Sequence, residues 1–166
     1  ALLDHLRVDP AKVHAMPSAD SPTADPGAAA AEYAATLAKA TSHEDHAPVP
    51  TFDVIMLGVG PDGHVASLFP ERPALYDERP VTSVRGAPKP PPTRLSLTMP
   101  TLQHGKEVWF VVSGVEKARA VHLALSDAGV VQVPAAGPRG QQRTLWLLDK
   151  DAASQLPTGL TRPASP

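Results

Sequence analysis

Within the stretch Phe52–Pro70, FDVIMLGVGPDGHVASLFP, an apolar run ends in three glycines, an aspartate and a histidine. An imidazole titrates near neutral pH and can take a proton from water. Gly58, Gly60 and Gly63 let the backbone turn sharply and leave amide N–H groups uncovered by any Cβ, so a base, His64, and donors for a developing oxyanion converge on one turn. Asp62 stands two residues before His64, where it can orient the site. Two cations lie further along. Lys117 falls in the first turn of a predicted helix, where a positive charge opposes the helix dipole and hints at a bound anion. Arg94 falls on the polar face of a predicted strand, a placement that by itself says only that the residue is solvated.

Two other chemistries fit these residues less well. The spacing Gly58-x-Gly60-x-x-Gly63 matches the dinucleotide fingerprint, with Glu78 near the expected ribose-binding acid. Pro70 and Pro73, however, leave room for only about two helical turns after His64, too little for the crossover helix of a βαβ unit. His43-Glu44-Asp45-His46 resembles a metal-ligand cluster, but it precedes Pro48 and Pro50 in a linker and lacks the helical HExxH spacing, so a solvated loop is expected.

The elements that position these groups can be read from periodicity. Val54 to Leu57 is continuously apolar, which predicts a strand buried on both faces inside a parallel sheet, ending at the glycine turn where open α/β sheets bind ligands. His64 is expected at the start of a short helix. Before this strand, Val13 to Met16 suggests a short strand, and Asp25 caps a helix that has Pro26 at its first position and runs to about Lys39. Its stripe of Ala30, Tyr33, Ala34 and Leu37 is expected to pack closely on a sheet. After it, Val81 to Val84 reads as a strand, and Gly86 to Pro92 as a stiff rim leading into another. In that next strand Arg94, Ser96 and Thr98 form a polar face opposite Leu95, Leu97 and Met99. Glu107 to Val112 predicts a second buried strand, followed by a capping box, Ser113 with Glu116, and a helix burying Ala118, Val121 and Leu125. Thr144 to Leu148 is a last strand with Trp146 in the core.

A chain of 166 residues, 42% apolar, supports one domain. Residues 1–153 are expected to form it, with 154–166 a mobile tail rich in Pro, Ser and Thr. The net charge of −2 comes from scattered residues, so neither nucleic acid nor a membrane surface is an expected partner, and no apolar run is long enough to span a bilayer. The absence of Cys excludes disulfides and thiolate catalysis and is compatible with a cytoplasmic protein. Strands alternating with helices argue for a three-layer α/β/α fold around a mainly parallel sheet.

Val59-Gly60-Pro61-Asp62-Gly63-His64-Val65-Ala66-Ser67-Leu68-Phe69-Pro70 resembles the signature of the 6-phosphogluconolactonases. Pro88-Lys89-Pro90-Pro91-Pro92-Thr93-Arg94-Leu95-Ser96-Leu97-Thr98, Val108 to Gly114 leading to Lys117-Ala118, Val133-Pro134-Ala135-Ala136 and Thr144 to Asp149 extend the resemblance over nearly the whole chain. It implies a Rossmann-like, sugar-phosphate isomerase-like fold and hydrolysis of 6-phosphoglucono-δ-lactone in the pentose phosphate pathway. His64 would be the general base, Asp62 would orient the site, Gly58, Gly60 and Gly63 would meet the substrate, and Arg94 and Lys117 would hold its phosphate. No cofactor or metal is implied, and a monomer is favoured. The related glucosamine-6-phosphate isomerase/deaminases carry a Glu five residues after the histidine, where this chain has Phe69. The alternatives are therefore a deaminase-like enzyme or a sugar-phosphate-binding module that lacks catalysis. Ala1 to Leu6 reads as the end of a helix with nothing to cap it, and the family's first Gly-rich loop and Asp-Glu-Arg segment do not occur here. The chain is expected to lack the N-terminal part of the family domain and to be weakly active by itself.

Overall fold

The computed structural model describes residues 5–23, 25–126, 128–157 and 159–160. Three parallel strands form its main sheet: β1 (Phe52–Leu57), β4 (Gly105–Val112) and β5 (Arg143–Leu148), in the order β1-β4-β5. Two shorter strands, β2 (Val81–Val84) and β3 (Arg94–Leu97), pair antiparallel as a separate ribbon. The fold is thus mixed α/β with a mainly parallel sheet, as expected, although the strand bearing Arg94 sits in the ribbon and not in the main sheet. No helix among the described residues is long and apolar enough to cross a membrane.

Side chains alternate across a strand, so the register assigns each face. Ile55, Leu57, Val108, Phe110 and Val112 point into one core with Val121, Ala124 and Val133, and Trp146 stacks on Phe110 at 4.0 Å. On the opposite face Val54 and Met56 are 40% and 65% exposed, and Val111 and Leu147 lie beside them, also exposed. The expectation of a strand buried on both faces is corrected here, because no described element covers the second face. The helix α1 (Pro26–Lys39) begins as read, with the Asp25 carboxylate accepting from the Ala28 N–H and Pro26 in the first turn. Its Ala30–Leu37 stripe packs on the β2–β3 ribbon with Val49 and Val81, and a single-turn helix, α2 (Met99–Leu102), follows β3.

Four local expectations differ from what the fold shows. Val13 to Met16 joins no sheet. Ser96 and Thr98 are buried, not solvated, since each hydroxyl finds a backbone carbonyl: Ser96 donates to Leu97 O and Thr98 to Arg79 O. The capping box does not form. Gly114, at φ 98°, gives its N–H to both carboxylate oxygens of Asp149 at the end of β5, and a 3₁₀ turn (Val115–Lys117) precedes α3 (Ala118–Leu125). On α3 the buried face is Ala118, Ala120, Val121 and Ala124, while Leu125 is partly exposed. The expected opening helix end at Ala1–Leu6 lies outside the described residues up to Asp4, and most of the expected mobile tail lies outside them too. Within the part described, Leu156 packs on the main core.

Candidate active site

At the carboxyl end of β1 the chain does not enter a helix. Val65 and Leu68 form an isolated antiparallel bridge, Ala66 takes a left-handed conformation (φ 49°), and Val65, Leu68 and Phe69 are all buried. Burial of these three apolar side chains folds the segment down onto the core, which overrides its helical expectation. The turn before it closes on itself: Gly60 N–H donates to His64 O and Gly63 N–H to Gly60 O, both at 2.9 Å. These two amides are therefore engaged within the turn and shape it. Neither is free for an oxyanion in this arrangement.

The closure brings the His64 imidazole back over its own turn. His64 Nδ1 and Asp62 Oδ1 are 2.6 Å apart, and the imidazole lies against the Phe69 ring, centroids 4.5 Å apart. Burial works to raise the Asp62 carboxyl, but the hydrogen bond and charge of His64, with its backbone N–H, outweigh burial and hold the carboxyl below its ordinary value. Asp62 thus stays ionised and can accept from Nδ1, so Nε2 is the ring nitrogen that Asp62 does not engage. Asp62 and His64, both singled out in the sequence, are therefore in direct contact.

Gly60 is required by this geometry, since a Cβ there would run into the imidazole of His64 and the carboxylate of Asp62. Gly63, at φ 83°, packs against Val133, and its carbonyl accepts from Ala135 N–H at 2.9 Å. The Val133–Ala136 segment, distant in sequence, is thus the buttress of the histidine turn. We expect Gly60→Ala to lower catalytic turnover by about 10²-fold through displacement of the imidazole. Thermal unfolding should report an ordinary loss of stability, about 0.5–3 kcal/mol. Undiminished turnover in that variant would mean that this imidazole position is not the working one.

Arg94 does not stand in solvent. It shares a face with buried Ser96, which accepts from the Ser67 N–H, and its guanidinium lies 5.3 Å over the Phe69 ring centroid. Its Nε donates to Pro91 O at 3.0 Å, and its Nη2 donates to Lys89 O at 2.7 Å and Pro90 O at 3.0 Å. One edge of the guanidinium fork is therefore engaged on the proline-rich rim. Lys117 is half-buried just before α3, at the carboxyl end of β4. Because β1 and β4 are adjacent and parallel, its turn neighbours the histidine turn. A cleft of about 260 Å³ between Asp62, Gly63 and α3 is lined by Arg119 in addition, a residue the sequence did not single out. Gly58 marks the exit from β1, with open space where a Cβ would sit. The His43–His46 segment is a turn in which Asp45 accepts from the N–H groups of Ser42 and Thr51.

Comparison with known proteins places the chain in a family. A family model described as glucosamine-6-phosphate isomerases/6-phosphogluconolactonase matches residues 1–146. The chain is 58% identical over 167 residues to the 6-phosphogluconolactonase of Streptomyces coelicolor, an alignment covering 99% of this chain and 64% of that protein. It resembles the crystal structure of a devB protein (TM-score 0.69, 34% identity, 80% of this chain and 56% of that one). It also resembles the 6-phosphogluconolactonase of Thermotoga maritima (TM-score 0.62, 30% identity, 73% of this chain and 50% of that one). The chain therefore spans less than two thirds of the length of each of these relatives. A match over residues 1–146, on a parallel sheet whose first strand ends in an aspartate-oriented histidine turn, shows that the chain belongs to the glucosamine-6-phosphate isomerase/6-phosphogluconolactonase family.

Proposed function

We propose that this protein hydrolyses 6-phospho-D-glucono-1,5-lactone to 6-phosphogluconate in the pentose phosphate pathway, with His64 as general base. The observation that supports it most is the 2.6 Å contact between His64 Nδ1 and Asp62 Oδ1, which leaves Nε2 as the ring nitrogen that Asp62 does not engage. Nε2 removes a proton from water as the water oxygen bonds to C1. The lactone carbonyl oxygen takes the negative charge and is met by an amide of the histidine turn other than those of Gly60 and Gly63, which are engaged. The C1–O5 bond then breaks, and the proton held by His64 passes to O5, which becomes the free hydroxyl of the acid. The phosphate is recognised by Lys117 as a compact charge and by Arg94 through the part of its guanidinium not bound to the rim.

Measuring lactone hydrolysis by the protein, after subtraction of the spontaneous reaction, tests this reading. Binding of 6-phosphogluconate without turnover would favour a sugar-phosphate-binding module. The amino-sugar branch of the family is a second reading, and the position of Phe69 argues against it: the ring is buried between His64 and Arg94, where the deaminase pattern needs a carboxylate. No ammonia should be released from glucosamine 6-phosphate. Its detection would overturn the choice of branch.

A further inference from the structure

The proline-rich rim of residues 87–92 is folded over the histidine turn and held there from two sides. Pro88, Pro90, Pro91 and Pro92 have no N–H, so the rim cannot satisfy its own carbonyls as a hydrogen-bonded loop would. Ala87 N–H closes it on Pro92 O at 2.9 Å, and the single guanidinium of Arg94 takes the carbonyls of residues 89, 90 and 91. The one side chain in this rim with a charge, Lys89, places its Nζ 3.7 Å from Asp62 Oδ2, the carboxylate oxygen that does not face the histidine. Contacts therefore run in a ring: His64 to Asp62, Asp62 to Lys89, the Lys89 backbone to Arg94, Arg94 to Phe69, and Phe69 back to His64.

We propose that Lys89 is a positioning residue of the reaction, whose ammonium, fixed by the Arg94-bound rim, holds the second Asp62 oxygen so that the first stays locked on His64 Nδ1. A carboxylate bonded through one oxygen rotates readily about its Cβ–Cγ bond. A cation on the other oxygen opposes that rotation and favours the ionised form that accepts from the imidazole. The Lys89 side chain is 44% exposed and that of Asp62 33%, so the pair contributes little to stability. Its effect belongs in turnover, where orientation of the base matters.

This inference rests on His64 being the base, and a double-mutant cycle tests it in the lactone-hydrolysing protein. Lys89→Met is expected to lower kcat by about 5–30-fold, the rate equivalent of coupling between contacting residues, with KM for the phosphorylated lactone changed by less than about twofold. Lys89→Arg should restore most of the loss, and thermal unfolding of Lys89→Met should match the parent. In an Asp62→Asn background, which has no charge for Lys89 to hold, the same Lys89→Met change should cost less than about twofold. Equal losses in both backgrounds overturn the proposal, as does a loss confined to KM for the phosphorylated lactone, which would make Lys89 a phosphate contact. If a His64 variant keeps the parental rate, the base reading falls and this one with it. If His64 is required and the Lys89–Asp62 cycle is additive, only the positioning role is lost.

Discussion

Replacing His64 by alanine is expected to lower lactone hydrolysis by about 10²–10⁴-fold, the usual contribution of a positioned general base. The fold should survive. His64 is half-buried at the rim of the core, and its aromatic packing partner, Phe69, is itself fully buried and also contacted by Arg94. The turn beneath it is closed by backbone bonds that do not involve the imidazole: Gly63 N–H to Gly60 O, Gly60 N–H to His64 O and Ala135 N–H to Gly63 O. The loss should therefore appear in kcat with little change in KM, because the base acts on water and not on the phosphate. Unchanged thermal unfolding alongside the lost rate separates chemistry from collapse of the turn. A rate within a few-fold of the parent would remove His64 from the mechanism, and the Asp62 contact would then be only a surface hydrogen bond.

The contacts near His64 were legible in the sequence in proportion to their sequence separation. Asp62 and His64 are two residues apart, and a Gly-Pro-Asp-Gly turn has few ways to place them except side by side. The parallel strands were legible as continuous apolar runs, but such a run does not say whether both faces are covered, and Val54 and Met56 are open. Alternation in Arg94–Thr98 distinguished two faces without saying which faces in. Hydroxyls that can bond a nearby carbonyl, as those of Ser96 and Thr98 do, go inside without penalty. The helix expected after His64 was overridden by the burial of Val65, Leu68 and Phe69. Contacts across the chain were not legible at all. Lys89 to Asp62, Ser67 to Ser96 and Gly63 to Ala135 join segments that only the packed fold brings together.

The second large effect is expected at Arg94, and the structure changes what it should look like. A guanidinium free to grip phosphate would, on truncation, weaken only the phosphorylated substrate. Here Nε and Nη2 are bound to the carbonyls of residues 89–91, so truncation leaves three acceptors without donors and releases the rim from Phe69 and the histidine turn. Arg94→Ala is therefore expected to act twice. KM for the phosphorylated lactone should rise by an amount equivalent to about 2–5 kcal/mol if the phosphate contact is desolvated. Independently, kcat for both phosphorylated and free gluconolactone should fall by about tenfold, because the rim no longer orders Asp62. Arg94→Lys separates the two effects: an ammonium can keep charge near the phosphate, but it cannot present the planar fork that spans three carbonyls. It should recover part of KM and none of the kcat for the free lactone. A lysine variant that restores both would show that charge alone is needed, and an alanine variant that leaves the free lactone untouched would confine Arg94 to the phosphate and dissolve its link to the base.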